Sequence, residues 1–300
     1  MAKIFFCIDL GGTNCKIAVF DEEGTIIKSW KTSSKPFSNP ENFLSAIKAE
    51  LLRFEEFKSF SAISIGVPGL ISADGVVVVS PNFPEWKELK VKQLIEQEFS
   101  CPVYVENDAN LFVLGEGFAG SAKEYSSYVG ITIGTGIGGG IVIDGRLLKG
   151  AKGMAGEIGH MVIHPAGPEC GCGNKGCLEA YSSGLAMKRQ MLQLTGLELE
   201  AIEIYGLAKR GDKKAQKVFE KSAYHLGIGI ANIVNILDVP CIVIGGGISS
   251  AFDIMEESIR KGFREHTFKI HFDTVKILQS QLKDQSALYG AFSLIEKESS

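Results

Sequence analysis

The chain opens on an apolar run. Ile4 to Asp9 has the pattern of a buried strand that ends on an acid, and Gly11-Gly12-Thr13 breaks it. Lys16 to Phe20 resumes as a second strand, Asp21-Glu22-Glu23-Gly24 turns, and Thr25 to Lys31 reads as a third. Asn42 to Phe57 has helical spacing, with Phe43, Ile47, Leu51 and Phe54 on one face. Ala62 to Val67 is a strand stopped by Pro68-Gly69, Val91 to Phe99 is helical, and Val103 to Val105 is a strand. Glu106-Asn107-Asp108 ends that strand, and Ala109 to Phe118 is the helix that follows.

The opening pattern then recurs. Tyr128 to Ile133 is a strand, Gly134 to Gly140 a glycine turn, Ile141 to Ile143 a strand, Asp144-Gly145 a hairpin turn, and Arg146 to Leu148 continues. A unit of strand, glycine turn, strand, turn, strand that occurs twice predicts two related α/β domains facing each other across a cleft. Two hairpins alike by chance are the plain alternative. The expected division is a small domain over 1–119 and a larger one over 120–283, with a soft boundary near Gly120. The second half is more helical: Leu185 to Leu194, Ala201 to Lys209, Ala215 to Leu237 and Phe252 to Phe263. Cys241 to Ile244 is a strand running into Gly245-Gly246-Gly247. A closing helix over 284–297 is expected to pack back on the first domain.

Composition narrows the chemistry. The 300 residues carry 35 glycines, and many are clustered, as in loops that approach a ligand with bare backbone. A net charge of -4, from 31 basic and 35 acidic residues, supplies no broad basic field for nucleic acid. Asp9 ends the first apolar run too early for a secretory signal, and the stretch around Ile131 to Ile143 is broken by glycines. The expectation is a cytoplasmic protein with no membrane partner.

Three glycine loops follow strands. Asp9, Gly11, Gly12, Thr13 and Lys16 frame the first: backbone N–H groups, a hydroxyl and a cation for phosphate, with Asp9 placed to hold Mg²⁺. Gly134, Thr135, Gly136 and Gly138 form a second candidate cradle, and Gly245, Gly246 and Gly247 a third. Each alone fits an ordinary tight hairpin. None matches the P-loop or the full dinucleotide fingerprint.

Seven cysteines are present, and Cys170, Cys172 and Cys177 crowd together. With His160 they form a closed four-donor set suited to structural zinc, with no open position to activate water. His164 is a rival for His160 and reads as a loop residue before Pro165. Cys7, Cys15, Cys101 and Cys241 stand in apolar surroundings as buried thiols.

Asp108, just past a strand, can take a proton from an attacking hydroxyl, and Asn107 can hold neighbouring hydroxyls. A helix N-cap explains the same pair equally well. Glu157 and His160 lie three residues apart, so one helical turn puts both on one face. A metal-held His160 would still offer its second ring nitrogen. Glu179 follows the cysteine run. Solvated surface charge is the alternative for both glutamates.

At Asp9-Leu10-Gly11-Gly12-Thr13, Glu106-Asn107-Asp108-Ala109-Asn110, Gly156-Glu157-Ile158-Gly159-His160 and Cys170-Gly171-Cys172-Gly173-Asn174-Lys175-Gly176-Cys177-Leu178-Glu179, the chain resembles the ROK family of repressors, open reading frames and kinases. It looks most like that family's bacterial glucokinases. The resemblance implies an α/β, two-domain, actin-like and hexokinase-like (ribonuclease H-like) fold, with ATP, Mg²⁺ and sugar in the interdomain cleft. By similarity Asp108 is the catalytic base toward the glucose 6-hydroxyl. Gly69, Asn82, Asn107, Glu157, His160 and Glu179 bind the sugar, His160 also serves zinc, and Lys16 is the phosphate-loop lysine. A homodimer is implied as well. The match weakens around Ser80 to Trp86. Alternatives within the resemblance are kinases of N-acetylmannosamine, N-acetylglucosamine or fructose, and a non-enzymatic sugar-sensing regulator. The regulator needs a helix-turn-helix ahead of the first strand, and no room for one is expected before Ile4.

Overall fold

The computed structural model describes residues 3–53 and 60–299. Its contacts divide the chain into two compact units. One holds the chain through Lys123, Leu147–Ala155 and everything from Asp284; the other holds Glu124–Arg146 and Gly156–Lys283. The short return 147–155, placed by the sequence division in the second domain, therefore belongs to the first unit. The reason is contact: Gly153 and Lys149 pack and pair with first-unit residues.

The first unit is built on β1 (Phe5–Leu10), β2 (Asn14–Phe20) and β3 (Ile26–Ser33), followed by α1 (Pro40–Leu51) and β4 (Ala62–Val67). Small strands β5 (Leu70–Ile71), β6 (Val77–Val79) and β7 (Lys87–Leu89) make a separate sheet. Then come α2 (Val91–Phe99), β8 (Val103–Asn107) and α3 (Asp108–Phe118). The main sheet has the order β3-β2-β1-β4-β8. Antiparallel pairing joins the first three strands, and β4 and β8 add in parallel. Every residue of β4 is buried, as a central parallel strand requires.

Helix α1 starts earlier than the sequence spacing suggests. Asn39 accepts the Glu41 N–H and Pro40 occupies the first turn, where no donor is needed. Phe43, Ile47 and Leu51 face the core as expected. Residues 54–57 of the expected helix, Phe54 included, lie outside the described residues.

The second unit repeats the first. Strands β9 (Tyr128–Ile133), β10 (Ile137–Ile143) and the edge strand β11 (Arg146–Leu147) pair in sequence. Helices α4 (Glu179–Ser182), α5 (Gly184–Thr195), α6 (Ala201–Lys209) and α7 (Lys213–Leu237) precede β12 (Cys241–Gly245), α8 (Phe252–His266) and β13 (Lys276–Gln279). Sheet order β11-β10-β9-β12-β13 matches the first sheet, with β12 parallel to both neighbours. Two sheets with the same order and the same switch from antiparallel to parallel rule out a chance likeness of two hairpins. Strand β13 carried no signal strong enough to be expected from the sequence.

The chain closes with α9 (Ser286–Ser299), which packs on α3 and β1. Phe292 stacks on Phe20 at 4.9 Å between ring centres. The Ser286 hydroxyl donates to the fully buried Glu116 at 2.7 Å. Among the described residues, no helix is long and apolar enough to cross a membrane.

Candidate active site

In the first unit β1, β4 and β8 run parallel and stop together. Asp9 pairs with Gly66, and Gly66 pairs with Glu106. The loops leaving these ends are the glycine turn 11–13, Pro68-Gly69 and the start of α3. Open α/β sheets bind ligands at such carboxyl ends. Asp9 faces Lys16 across the hairpin, with Lys16 Nζ 3.4 Å from Asp9 Oδ2 and 3.6 Å from Asp284 Oδ1. Burial pushes the Asp9 carboxyl above its usual range, Lys16 opposes that rise, and Asp284 adds to it. The turn is closed by Gly11 N–H to Asn14 O at 3.0 Å, and the Ser34 hydroxyl donates to Gly11 O at 2.6 Å. Gly12 and Thr13 stay exposed. The Asn82 amide lies so close to Gly12 that a β-carbon there would collide with it. Of the segment 80–86, Phe83 and Trp86 are core instead, stacked at 4.9 Å.

The corner between β8 and α3 settles part of the ambiguity at Asn107. Its Oδ1 accepts Ala109 N–H at 2.9 Å and Asn110 N–H at 3.2 Å, so it is the helix N-cap. Its Nδ2 donates to Gly69 O at 3.0 Å. The cap uses the amide oxygen, and one Nδ2 hydrogen remains. Gly69 sits at φ 125°, where a side chain would be strained and would strike the Val79 carbonyl. Asp108 follows as the first residue of α3, half-buried, with Oδ1 2.9 Å from Ala109 N.

In the second unit the glycine turn is shorter than expected. It covers 134–136, closed by Gly134 N–H to Gly136 O at 2.9 Å. Gly138 lies within β10, paired to Thr132, rather than in the turn. Gly139, next in β10, serves packing: a β-carbon there would sit 2.5 Å from Ile158 Cδ1. Gly245 ends β12 beside Thr132, and Gly246, at φ 82°, turns the chain into the helical turn Gly247–Ala251. Gly134, Thr135 and Gly247 line a cavity of about 280 Å³; Gly136, Gly138, Gly245 and Gly246 do not. Its other walls include Leu185, Ala201, Ile202, Tyr205 and Ser250. The helical spacing of α5 and α6 was legible, but nothing in it marked which positions would meet two glycine loops.

His160, Cys170, Cys172 and Cys177 place one donor atom each within 4.8 Å of all the others. Cys170 Sγ is 3.7 Å from His160 Nδ1, and Cys172 Sγ is 3.7 Å from Cys177 Sγ. That is far beyond a disulfide and close to the edge of a tetrahedron with metal–sulfur bonds of about 2.3 Å. Hydrogen bonding, led by the Asn174 N–H, draws the Cys172 thiol down to about 7; burial and neighbouring thiols push Cys177 up to about 12. Three crowded sulfurs cannot all ionise at neutral pH without a cation among them, so the donor set fits a bound metal. His164 is not in the set.

The short helical turn Ile158–His160 places His160 Nε2 3.9 Å from Glu157 Oε2, so the two face each other as the spacing implied. Glu157 is exposed. Glu179 is half-buried rather than solvated: its Oε2 accepts Ile137 N–H at 2.8 Å, and its Oε1 lies 3.7 Å from Cys170 Sγ.

Residues 5–298 match the ROK family. The glucokinase of Thermotoga maritima is 32% identical over 305 residues, covering 97% of this chain and 96% of its own. A ROK family glucokinase from Streptomyces griseus, solved with glucose and AMPPNP, superposes with a TM-score of 0.83 at 32% identity, covering 98% and 99%. A ROK family transcriptional regulator, a homolog of the E. coli MLC protein, superposes with a TM-score of 0.86 at 29% identity, covering 99% of this chain and 81% of its own. The fold is the two-domain, actin-like α/β fold of ROK hexokinases and glucokinases. With a match running from the first strand to the last helix, this chain belongs to the ROK family.

Proposed function

We propose that the protein is an ATP-dependent hexose kinase that phosphorylates the 6-hydroxyl of glucose. The observation that carries the reading is the carboxyl edge of the first sheet. There Asp9 on β1 and the β8–α3 corner bearing Asp108 stand on the ends of parallel strands that flank β4 on either side. Asp108 accepts the proton of the attacking hydroxyl as that oxygen meets the γ-phosphorus. The remaining Asn107 N–H, Gly69, Asn82, Glu157, His160 Nε2 and Glu179 Oε1 hold sugar hydroxyls. Gly11, Gly12 and Thr13, with Lys16 as a nearby charge, receive phosphate oxygens, and so do Gly134, Thr135, Gly136 and Gly245 to Gly247. The 280 Å³ cavity takes the adenosine. Asp9 would hold Mg²⁺, which supplies charge neutralisation for the triphosphate. His160, Cys170, Cys172 and Cys177 would hold zinc, which supplies a rigid cross-link that orients the His160 ring.

A coupled assay of ATP consumption against glucose, N-acetylmannosamine, N-acetylglucosamine and fructose tests the proposal and reads the preferred sugar. Glucose-dependent ADP formation with glucose 6-phosphate as product supports it. Sugar binding by calorimetry with no phosphoryl transfer to any sugar favours a sensor and rejects the kinase reading. The kinship to a ROK regulator makes that second outcome the informative one.

A further inference from the structure

Glu106 is a carboxylate at the end of β8 with a side chain only 7% exposed. Its Oε1 accepts Asn107 N–H at 3.0 Å and Asn110 Nδ2 at 3.0 Å. Its Oε2 lies 3.0 Å from Lys149 Nζ. These contacts grip both sides of the corner that carries Asp108: the last strand amide before it and the first helical turn after it. The Asn110 orientation follows from chemistry. A carboxylate only accepts, so Nδ2 must face it, and Asn110 Oδ1 is left buried with no hydrogen-bond partner. Packing alone does not call for this arrangement, because apolar side chains of similar volume would fill the space without an orphan acceptor.

Lys149 comes from neither the sheet nor α3. It stands in 147–155, the return that leaves β11, joins the first unit, and leads at Gly156 into Glu157 and His160. That return is folded by Ala155 N–H to Lys149 O at 3.1 Å. It seats Gly153 against Ile71, where a β-carbon would lie 2.7 Å from the carbonyl oxygen. Ile71 is in β5, which starts one residue after Gly69, and the Gly69 carbonyl receives Asn107 Nδ2. The contacts thus close a ring from the return, through β5 and Gly69, to Asn107, Glu106 and back to Lys149.

We propose that Glu106 is a positioning residue for Asp108, held in place by Lys149 from the returning segment 147–155. The inference rests on the kinase reading above. Asp108 is the first residue of α3, so its location is set by where β8 stops and α3 starts, and Glu106 fixes both. Lys149 supplies the counter-charge that a buried carboxylate needs. A small displacement of a base costs turnover far more than binding.

The test uses Lys149→Met, Lys149→Arg and Glu106→Gln in the full chain, with kcat, both KM values and hydrogen exchange of the amides at 107–111. Lys149 is half-exposed, so its variants fold even if the Glu106 variant does not. The expected result for Lys149→Met is a kcat loss of about 10- to 100-fold, with sugar and ATP KM within about threefold, and faster exchange at 107–111. Lys149→Arg recovers most of the turnover. A Lys149→Met kcat within twofold of the parent, or a defect carried by KM alone, or an Arg variant no better than Met, overturns the proposal. Exchange is measured without substrate. Faster exchange in a chain with no kinase activity would therefore sink the kinase reading while leaving the Glu106 grip standing; unchanged exchange in an active kinase would sink the grip.

Discussion

Glu179 Oε2 accepts the backbone N–H of Ile137 at 2.8 Å, while Oε1 of the same carboxylate lies 3.7 Å from the Cys170 sulfur. One side chain therefore fastens the cysteine knuckle to the strand that follows a glycine turn. Glu179→Gln keeps an acceptor for Ile137, whereas Glu179→Ala removes it. A hydrogen bond to a charged group contributes about 1.5–3 kcal/mol. Thermal melts are expected to show Glu179→Ala clearly destabilised and Glu179→Gln much less so. Equal melting temperatures for Glu179→Ala and the parent would remove the structural role.

Asp108→Asn is expected to bind sugar and ATP near normally and to lose about 10²- to 10⁴-fold in kcat, the range for a lost general base. Single-turnover kinetics with calorimetry separates the two quantities. Near-parent turnover would place the base elsewhere.

Elemental analysis of freshly purified protein is expected to find about one zinc per chain. Cys172→Ser and Cys177→Ser should each lose it, with the buried Cys177 variant melting lower. Thiols must give up protons to bind, so affinity falls as pH falls, and chelator-induced loss should accelerate on acidification. Stoichiometric metal in Cys172→Ser would take that sulfur out of the ligand set.

The cavity beside Gly134 and Gly247 admits a steric test. Ala201→Trp puts a large ring into a space of about 280 Å³. The ATP KM should rise at least about tenfold, the scale of losing good van der Waals fit in a pocket, while glucose affinity by calorimetry stays unchanged. An unaltered ATP KM would mean that the adenosine lies elsewhere.

Burial raises the Asp9 carboxyl pKa more than Lys16 lowers it. A carboxyl with a raised folded-state pKa favours folding when protonated, and that contribution is lost as pH rises through the folded value. Asp9→Asn should therefore melt higher than the parent at neutral pH, with the gain fading as the solution is acidified and parental Asp9 protonates. The same variant should lose Mg²⁺-dependent ATP use. A lower melting temperature for Asp9→Asn at pH 7 contradicts the sign of this argument.

How much was legible in the chain depends on how local each signal was. The strand Ala62 to Val67 and the face Phe43, Ile47, Leu51 are period patterns, and they appear where the pattern put them. His160, Cys170, Cys172 and Cys177 are close in sequence, and a tight knuckle could only bring their donors together. Gly138 falls in β10 rather than in the turn, and a glycine in a turn looks like a glycine in a strand when read from sequence. Only its pairing with Thr132 across the hairpin distinguishes them.

The amino-acid order by itself determined the duplicated hairpins, the clustered donor set of His160, Cys170, Cys172 and Cys177, and the strand-end acids, because each is set by neighbours a few residues apart. Tertiary structure decided that Asn107 caps a helix while reaching Gly69, that Glu179 is half-buried against Ile137, and that Lys149 meets Glu106. Those pairings join residues some 38 to 43 positions apart. Their contact depends on strand register and on a chain excursion between units, and no periodicity in one segment encodes where another segment will lie.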